Sequence, residues 1–431
     1  MVIIRRRTLI LILAIFFFLI GFLSVRYLSR PRIRVGEHLI IVNYRAKINP
    51  KKNYHLKLWD YKWPGTEGDT WYQQFIKKAV KDFERENPNI RVSLKLLDFI
   101  EGPKVFSQAL ASGNAPDVYC SAYGFPEFNY QWQIPAGIFL KPQELDIFYP
   151  NLKKVLSLEK YLLNLPRWSA PGLWVGNRAL MEQYGLPVEK IQRQGWSWQD
   201  LTAISMDKAK PLFIGNYSAN GLFPQLLAIN TYEHGESNLN HVLDLVNFVN
   251  GTSESDLEAN MFQLFLSGKV MLLGGVRPLV YDFIKQKAAV LKIGWEPVIL
   301  PFPGDRSKIV LPVENSVISV YRHHKTAGDD QLAAATRLAY FISTYHQTVP
   351  WERLKVVPSI TTTGPKWAGN IGEDYSSQLI DWFRDGDIVN IKVSPRYEAE
   401  IYPGLKSFLS GKISRQEFKN IIRNNYFEAK K

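Results

Sequence analysis

The stretch Ser112-Gly113-Asn114-Ala115-Pro116-Asp117-Val118-Tyr119 decides the fold class. Gly113 stops a short amphipathic helix, because glycine takes the left-handed backbone that ends helices at little cost. Ala115 to Tyr119 then read as a strand that runs into a polar, aromatic loop with Ser121, Tyr123 and Phe125. A strand with such an exit delivers side chains to the mouth of an α/β sheet, where open sheets bind ligands. The turn is common in α/β proteins, so its neighbours decide what it means.

Upstream, His55 to Trp59 alternates as a core strand and runs into the turn-rich, aromatic loop Asp60-Tyr61-Lys62-Trp63-Pro64-Gly65. Trp71, Phe75, Ile76, Ala79, Val80 and Phe83 recur on one helical face, with Asp69 or Thr70 as cap, and Asn87-Pro88 closes the helix. Ile90, Val92, Leu94 and Leu96 alternate with polar residues as the next strand. Strand, helix, strand, helix, strand predicts a parallel α/β unit.

Downstream, Met181–Gly185 reads as a short helix, and Ser197-Trp198-Gln199-Asp200 has capping-box spacing. Pro211–Tyr217 reads as a buried strand. Phe262 to Leu273 gives a helix, a turn at Gly268 and a strand, with Gly274-Gly275-Val276-Arg277 as its loop. Further elements are expected at Glu314–Val320 (strand), Gln331–Tyr345 (helix) and Tyr397–Tyr426 (mostly helix).

The 431 residues suffice for more than one compact unit. Twelve basic residues against the single acid Glu37 fall in Met1–Lys57, which places eleven of the thirteen net positive charges there. The excess flanks an apolar run, Thr8–Val25, so it concerns a membrane, and nucleic acid is not an expected partner. The run is long for a secretion signal and no small-x-small cleavage site follows, so it reads as an uncleaved signal anchor. The balanced charges on its two sides leave its orientation open. Residues 1–34 are thus expected as anchor and basic flank, and 35–53 as a basic tether with one short strand near Leu39–Tyr44.

Cys120 is the lone cysteine, so an intramolecular disulfide, a cysteine metal cluster and a lipid anchor after the apolar run are excluded; it reads as a small buried residue. No metal site and no cofactor are expected: the histidines lack H-x-x-x-H spacing, and the adjacent His323 and His324 read as surface residues. Walker A, G-x-S-x-G and G-x-G-x-x-G motifs are missing. Asp60, Asp117 and Glu314 are the carboxylates that a glycan-cleaving pair would draw on.

Together these stretches resemble the extracellular solute-binding proteins of bacterial ABC importers, family 1, the sugar-binding type to which maltose-binding protein belongs. Phe83 to Val92 resembles the family's first helix-to-strand element, Gly113–Val118 its G-x-A-P-D-V, and Gly137–Pro142 its G-x-L-x-P. Leu165-Pro166 and Trp174–Asn177 resemble the passage into the second lobe. Ser197–Leu201 is similar to T-W-x-E-L, Phe265–Leu272 to F-x-x-G-x-x-A-M, Val357-Pro358-Ser359 to x-P-S, and Phe408–Tyr426 to the last helices. The set covers about His55 to Tyr426 in the family's order.

The resemblance implies an α/β fold of two lobes, the type II periplasmic-binding-protein arrangement, here behind an N-terminal membrane anchor helix. Its lobes would be 54–168 with 312–347, and 169–311 with 348–431. It also implies a non-enzymatic binding component at the outer face of the cell membrane, which captures a carbohydrate, in the first place an oligosaccharide, by hinge closure and presents it to permease subunits. The competing readings are a ligand-sensing subunit of a membrane receptor and an extracellular glycan-active enzyme. Flat rings cover sugar faces, so Tyr61, Trp63, Tyr123, Trp174 and Tyr217 are the candidate stacking residues. Asp60, Ser121, Arg277 and Glu314 are the candidate polar contacts, with Arg277 suited to a uronate carboxylate. Trp71 and Trp198 are expected in cores.

Overall fold

The computed structural model describes residues 31–63, 70–121, 128–204, 213–215, 217–218, 221–235, 238–250, 257–306, 308–365, 374–391 and 396–427. A β-hairpin spans the end of the expected basic flank and the start of the expected tether, its second strand overlapping the strand expected near Leu39–Tyr44. Arg32–Val35 (β1) and His38–Ile41 (β2) pair antiparallel. Ile33, Val35, Ile40 and Val42 are buried against Ile134, Leu163 and Leu332. Arg322 Nη2 donates to the Ile41 carbonyl at 2.8 Å, and the Asn43 N–H to Asp329 at 2.8 Å. The alternation of apolar and polar residues docks this stretch despite its basic charge.

The first lobe grows from Tyr54–Tyr61 (β3), Thr70–Glu86 (α1), Ile90–Leu97 (β4), Gly102–Ala111 (α2) and Val118–Cys120 (β5). β3 lies between β4 and β5, parallel to both, as the alternation predicts. Gly113, at φ +64°, follows α2, and a Cβ there would lie 2.3 Å from His324 Nε2. Asp117, the acid of the deciding stretch, is buried inside the lobe. Its carboxylate accepts the Lys57 N–H at 2.8 Å and Gln331 Nε2 at 2.7 Å, and lies 3.2 Å from His323 Nε2. His323 is therefore buried rather than on the surface. Asp117 ties two strands and a helix together.

Leu165–Pro171 (β6) and Leu173–Asn177 (β7) carry the chain into the second lobe. There Ser197 caps a short helix by the expected box: its Oγ accepts the Asp200 N–H at 3.1 Å, and its N–H reaches Asp200 Oδ2 at 2.7 Å. The second sheet is four-stranded: Phe213–Gly215 (β8), Leu272–Val276 (β9), β7 and Pro297–Leu300 (β10), in that order. Leu222–His234 (α3) and Pro278–Leu291 (α4) flank it, and Gly268 at φ +73° turns the chain into β9.

Val310–Tyr321 (β11) returns to the first lobe, buried over all twelve residues. It pairs antiparallel with β6, Ser169 opposite Asn315 and Ala170 opposite Glu314. Asp329–Thr344 (α5) packs on this sheet. Val357–Pro358 (β12) adds to β6, and Asp387–Asn390 (β13) runs parallel to the start of β11. At the crossing, Ser169 Oγ donates to Asn315 Oδ1 at 2.6 Å, and Asn315 Nδ2 donates to Asn390 Oδ1 at 3.0 Å.

Asp374–Asp385 (α6) straddles the junction. Asn151 donates to the Phe383 carbonyl at 2.5 Å, while Trp382 Nε1 donates to the Gln192 carbonyl at 2.6 Å. The C-terminal residues are helical as expected, and Ser414 caps the last α-helix by accepting the Glu417 N–H at 3.2 Å. The expected anchor Thr8–Val25 lies outside the described residues. Among the described residues, no helix is long and apolar enough to cross a membrane.

Candidate functional site

Three rings and an ion pair converge where the lobes meet. Trp63 follows β3, Phe99 follows β4 and Trp168 sits on β6. Trp63 lies 5.4 Å from Phe99 and 5.7 Å from Trp168, ring centre to ring centre. Opposite them, Arg277 at the start of α4 pairs with Glu314 of β11. Ser316, Leu354, Lys355 and Val356 are among the other residues that line this cleft of about 220 Å³. Arg277 is 18% exposed and Glu314 7%, so the pair is mostly withdrawn from water.

Two indole donors stand beside the cleft, closed off from water. Trp63 Nε1 and Trp168 Nε1 are buried and have no hydrogen-bond partner in the described chain. A buried polar atom without a partner is costly, so two of them beside one cleft suit a ligand that brings acceptors.

Trp168 and Arg167 owe their positions to a β-bulge. Trp168 faces Ser316 and Pro166 faces Val317, which leaves Arg167 as the extra residue. Such a bulge re-aims side chains. Arg167 turns into the first lobe, where its Nη1 lies 3.0 Å from Asp60 Oδ2 and its Nη2 2.5 Å from Tyr72 Oη. Its guanidinium also sits 4.0 Å from the centre of the Trp168 ring. Burial pulls the Arg167 pKa down, but the Asp60 carboxylate and then Tyr72 more than reverse this and hold it above its ordinary value.

The candidate residues separate into three groups. Trp63, Arg277 and Glu314 are brought together in the cleft. Asp60, Tyr61, Ser121, Trp174 and Tyr217 are not. Asp60 is 1% exposed and serves Arg167, Tyr72 and the Tyr61 N–H. Tyr61 is buried against Phe106 and Leu97, and its hydroxyl meets that of Tyr119 at 2.6 Å. Burial pushes the Tyr61 hydroxyl up to about 12. Ser121 is buried behind the cleft wall, where its carbonyl accepts Ser316 Oγ at 2.8 Å. Tyr123 lies outside the described residues.

Trp174 stands within the second lobe's core, fully buried, edge-on to Trp196 at 6.2 Å, Trp198 at 6.3 Å and Phe302 at 6.1 Å. Gly274 faces it across the sheet, and a Cβ there would lie 2.9 Å from the indole. Tyr217 is buried in the same core, and its carbonyl accepts the Tyr397 hydroxyl at 3.0 Å. Chain position suggested the cleft for these two rings; strand pairing on both sides turns Trp174 inward, and Tyr217, past the end of β8, packs into the same core.

Phe99, Trp168 and Ser316 escaped the sequence reading. Phe99 carries a signal, since it lies just past the C-terminal end of a parallel strand, where open sheets bind ligands. Trp168 carries none, because a bulge cannot be counted from one chain. Asp117 offers no help to a glycan-cleaving pair, since its carboxylate is committed to Lys57, Gln331 and His323.

Residues 63–327 match the model of a family described as bacterial extracellular solute-binding protein. The chain belongs to that family. No curated protein matches this solute-binding protein significantly. Among solved structures, the sugar-binding protein MalE of Xanthomonas citri is similar at a TM-score of 0.59 and 15% identity, over 88% of this chain and 100% of that one. An ABC substrate-binding protein of Listeria monocytogenes in complex with cycloalternan is similar at 0.57 and 14%, over 86% and 99%. Maltose-bound MalE3 of T. maritima is similar at 0.57 and 15%, over 86% and 98%. At these identities the likeness establishes the two-lobed α/β fold.

Proposed function

We propose that this solute-binding protein captures a carbohydrate in the inter-lobe cleft, as the extracytoplasmic component of an ABC importer. The observation that carries the reading is the meeting of Trp63, Phe99 and Trp168 with the Arg277–Glu314 pair in one cleft. Rings cover the apolar faces of a sugar, while planar charged groups and indole N–H donors bond its hydroxyls. Sugar-bound structures among the similar folds support the same reading.

The pair also bears on the class of sugar. Glu314 matches the Arg277 charge, and Lys355, also in the lining, has Asp282 at 3.7 Å, so the site favours a neutral sugar; a uronate has to displace Glu314 to reach Arg277. At about 220 Å³ the cleft is below the usual ligand-pocket range of about 300–1,000 Å³. An oligosaccharide therefore needs the lobes to part further, or it leaves part of its length outside. The lobes, divided as the resemblance implies, swing about the crossing strands β6 and β11 near Ser169 and Asn315. Thr8–Val25 holds the protein at the membrane, and a permease reads the closed form.

Thermal unfolding of the full-length chain against neutral mono- and oligosaccharides, uronates and small anions tests this. A sugar at 100 times its Kd stabilises by about 2.7 kcal/mol if it binds only the folded state. A shift with a neutral sugar and no product formed is the expected result. Silence across every carbohydrate would overturn the assignment.

A further inference from the structure

Away from the cleft, the fold gathers three side chains with metal-ligand chemistry that no sequence spacing announces. His234 is the last residue of α3 and His241 lies in the next helix, Leu239–Asn250. Asp305 stands on the loop after β10. His234 Nε2 lies 2.7 Å from Asp305 Oδ2, and His241 Nε2 3.7 Å from Asp305 Oδ1. The three donor atoms fall within 4.8 Å of one another. We propose that His234, His241 and Asp305 form a binding site for a divalent transition ion of the zinc type on the second lobe.

Three observations support it. The first is the donor set: two imidazoles and one carboxylate are a common zinc complement, with a fourth position left for water. The second is size. Bonds of about 2.0–2.2 Å in a tetrahedral ion separate its ligands by about 3.4 Å, and the two measured separations lie on either side of that value. The imidazoles stand nearly perpendicular, with centres 5.7 Å apart, so both present Nε2 to one point without clashing.

The third is an unmet group. His241 Nε2 is buried and, among the described residues, has no hydrogen-bond partner, on a ring whose side chain is 32% exposed. A metal ion supplies one.

The scaffold is fixed independently of any ion. The Asp305 N–H faces the Glu233 carboxylate at 3.2 and 3.3 Å. The Gly304 N–H donates to the Trp196 carbonyl at 3.2 Å, and its carbonyl accepts the Trp198 N–H at 2.9 Å. Glu233 is thus an outer partner that orients the ligand-bearing loop, a role outer carboxylates commonly play. An ion bound here would clip α3 to the loop that leads into the crossing strand β11.

The test uses the full-length chain without an affinity tag. Zinc chloride is titrated by calorimetry and in competition with a chromophoric chelator, and X-ray absorption reads the ligands. One equivalent bound through two imidazoles and a carboxylate is expected, with a raised melting temperature. His241→Ala and Asp305→Asn are each expected to weaken zinc at least tenfold and to abolish the thermal shift. Their own melting curves in chelator verify folding, and sugar affinity stays unchanged in both. No zinc bound by the native chain, or equal binding by native chain and both variants, would overturn the site.

Discussion

Arg167 and Asp60 form an ion pair at 3.0 Å with each side chain 2% exposed, directly behind the Trp168 ring. The pair anchors the bulge that turns Trp168 toward the cleft, so a structural contact sets a ligand-facing one. Removing one partner of a buried pair leaves an uncompensated charge, at a cost of about 3–5 kcal/mol. Asp60→Ala is expected to lose that much in urea unfolding. The double variant Asp60→Leu/Arg167→Met is expected to recover part of it. A loss under 1 kcal/mol in the single variant would show that the pair is not what holds the bulge.

Trp63 and Trp174 are expected to behave oppositely. Trp63→Ala removes a half-buried cleft ring and is expected to cost about 2 kcal/mol of ligand affinity, roughly thirtyfold in Kd. Trp174→Ala opens a cavity in the second lobe's core and is expected to cost about 3–5 kcal/mol of stability. Calorimetric titration beside denaturant unfolding separates the two. An equal loss of affinity and stability in both variants would contradict the placement of these rings.

Glu314→Gln removes the carboxylate that pairs with the Arg277 guanidinium. The expected outcome is a shift of preference from neutral sugars toward uronates, measured as a ratio of Kd values for a matched pair of ligands. The charge-assisted bond to a carboxylate is about twice as strong as a neutral one, which gives the direction. An unchanged ratio would mean that Arg277 does not touch the ligand.

Asp82 gives a pH signature. Its bond from Lys78, helped by the Tyr345 hydroxyl, holds its carboxyl at about 2, below the ordinary 3.8. A depressed acid contributes stability above its unfolded pKa and loses it as pH falls through the folded one. Native protein and Asp82→Asn are therefore expected to differ most above about pH 4 and to converge toward about pH 2. Melting temperatures measured over that window check it; a gap that widened on acidification would contradict the assignment.

Cys120 is fully buried, and burial pushes its thiol well above the ordinary value. A thiol held from water as the neutral form is a poor nucleophile. A chromogenic disulfide reagent is expected to leave it unmodified in the native state and to react once the chain is unfolded in urea. Rapid native labelling would show that the first lobe opens.

The sequence by itself determined what depends on local pattern. Alternation wrote β3 and β4, the 3.6-residue period wrote α1, and Ser197 with Asp200 wrote a helix start, because each is decided by neighbours a few residues apart. Order and spacing of such elements sufficed for a parallel α/β unit; the two-lobed fold came from the family resemblance that the motifs carry. With that resemblance and its implied sugar ligand, chain position named Trp63, Arg277 and Glu314, residues at strand ends or on a crossing strand.

Only the tertiary structure decided which faces meet. Trp174 went to a core because strand pairing, not chain position, sets which side of a sheet a residue takes, and Tyr217 because the loop after β8 packs onto that core. Trp168 went to the cleft because one bulged residue shifted its register. Asp60 and Asp117 became internal partners because Arg167, Gln331 and His323 arrive from distant parts of the chain. His234, His241 and Asp305 converge for the same reason: contacts between remote segments follow from packing of the whole chain, and single-sequence spacing carries no record of them.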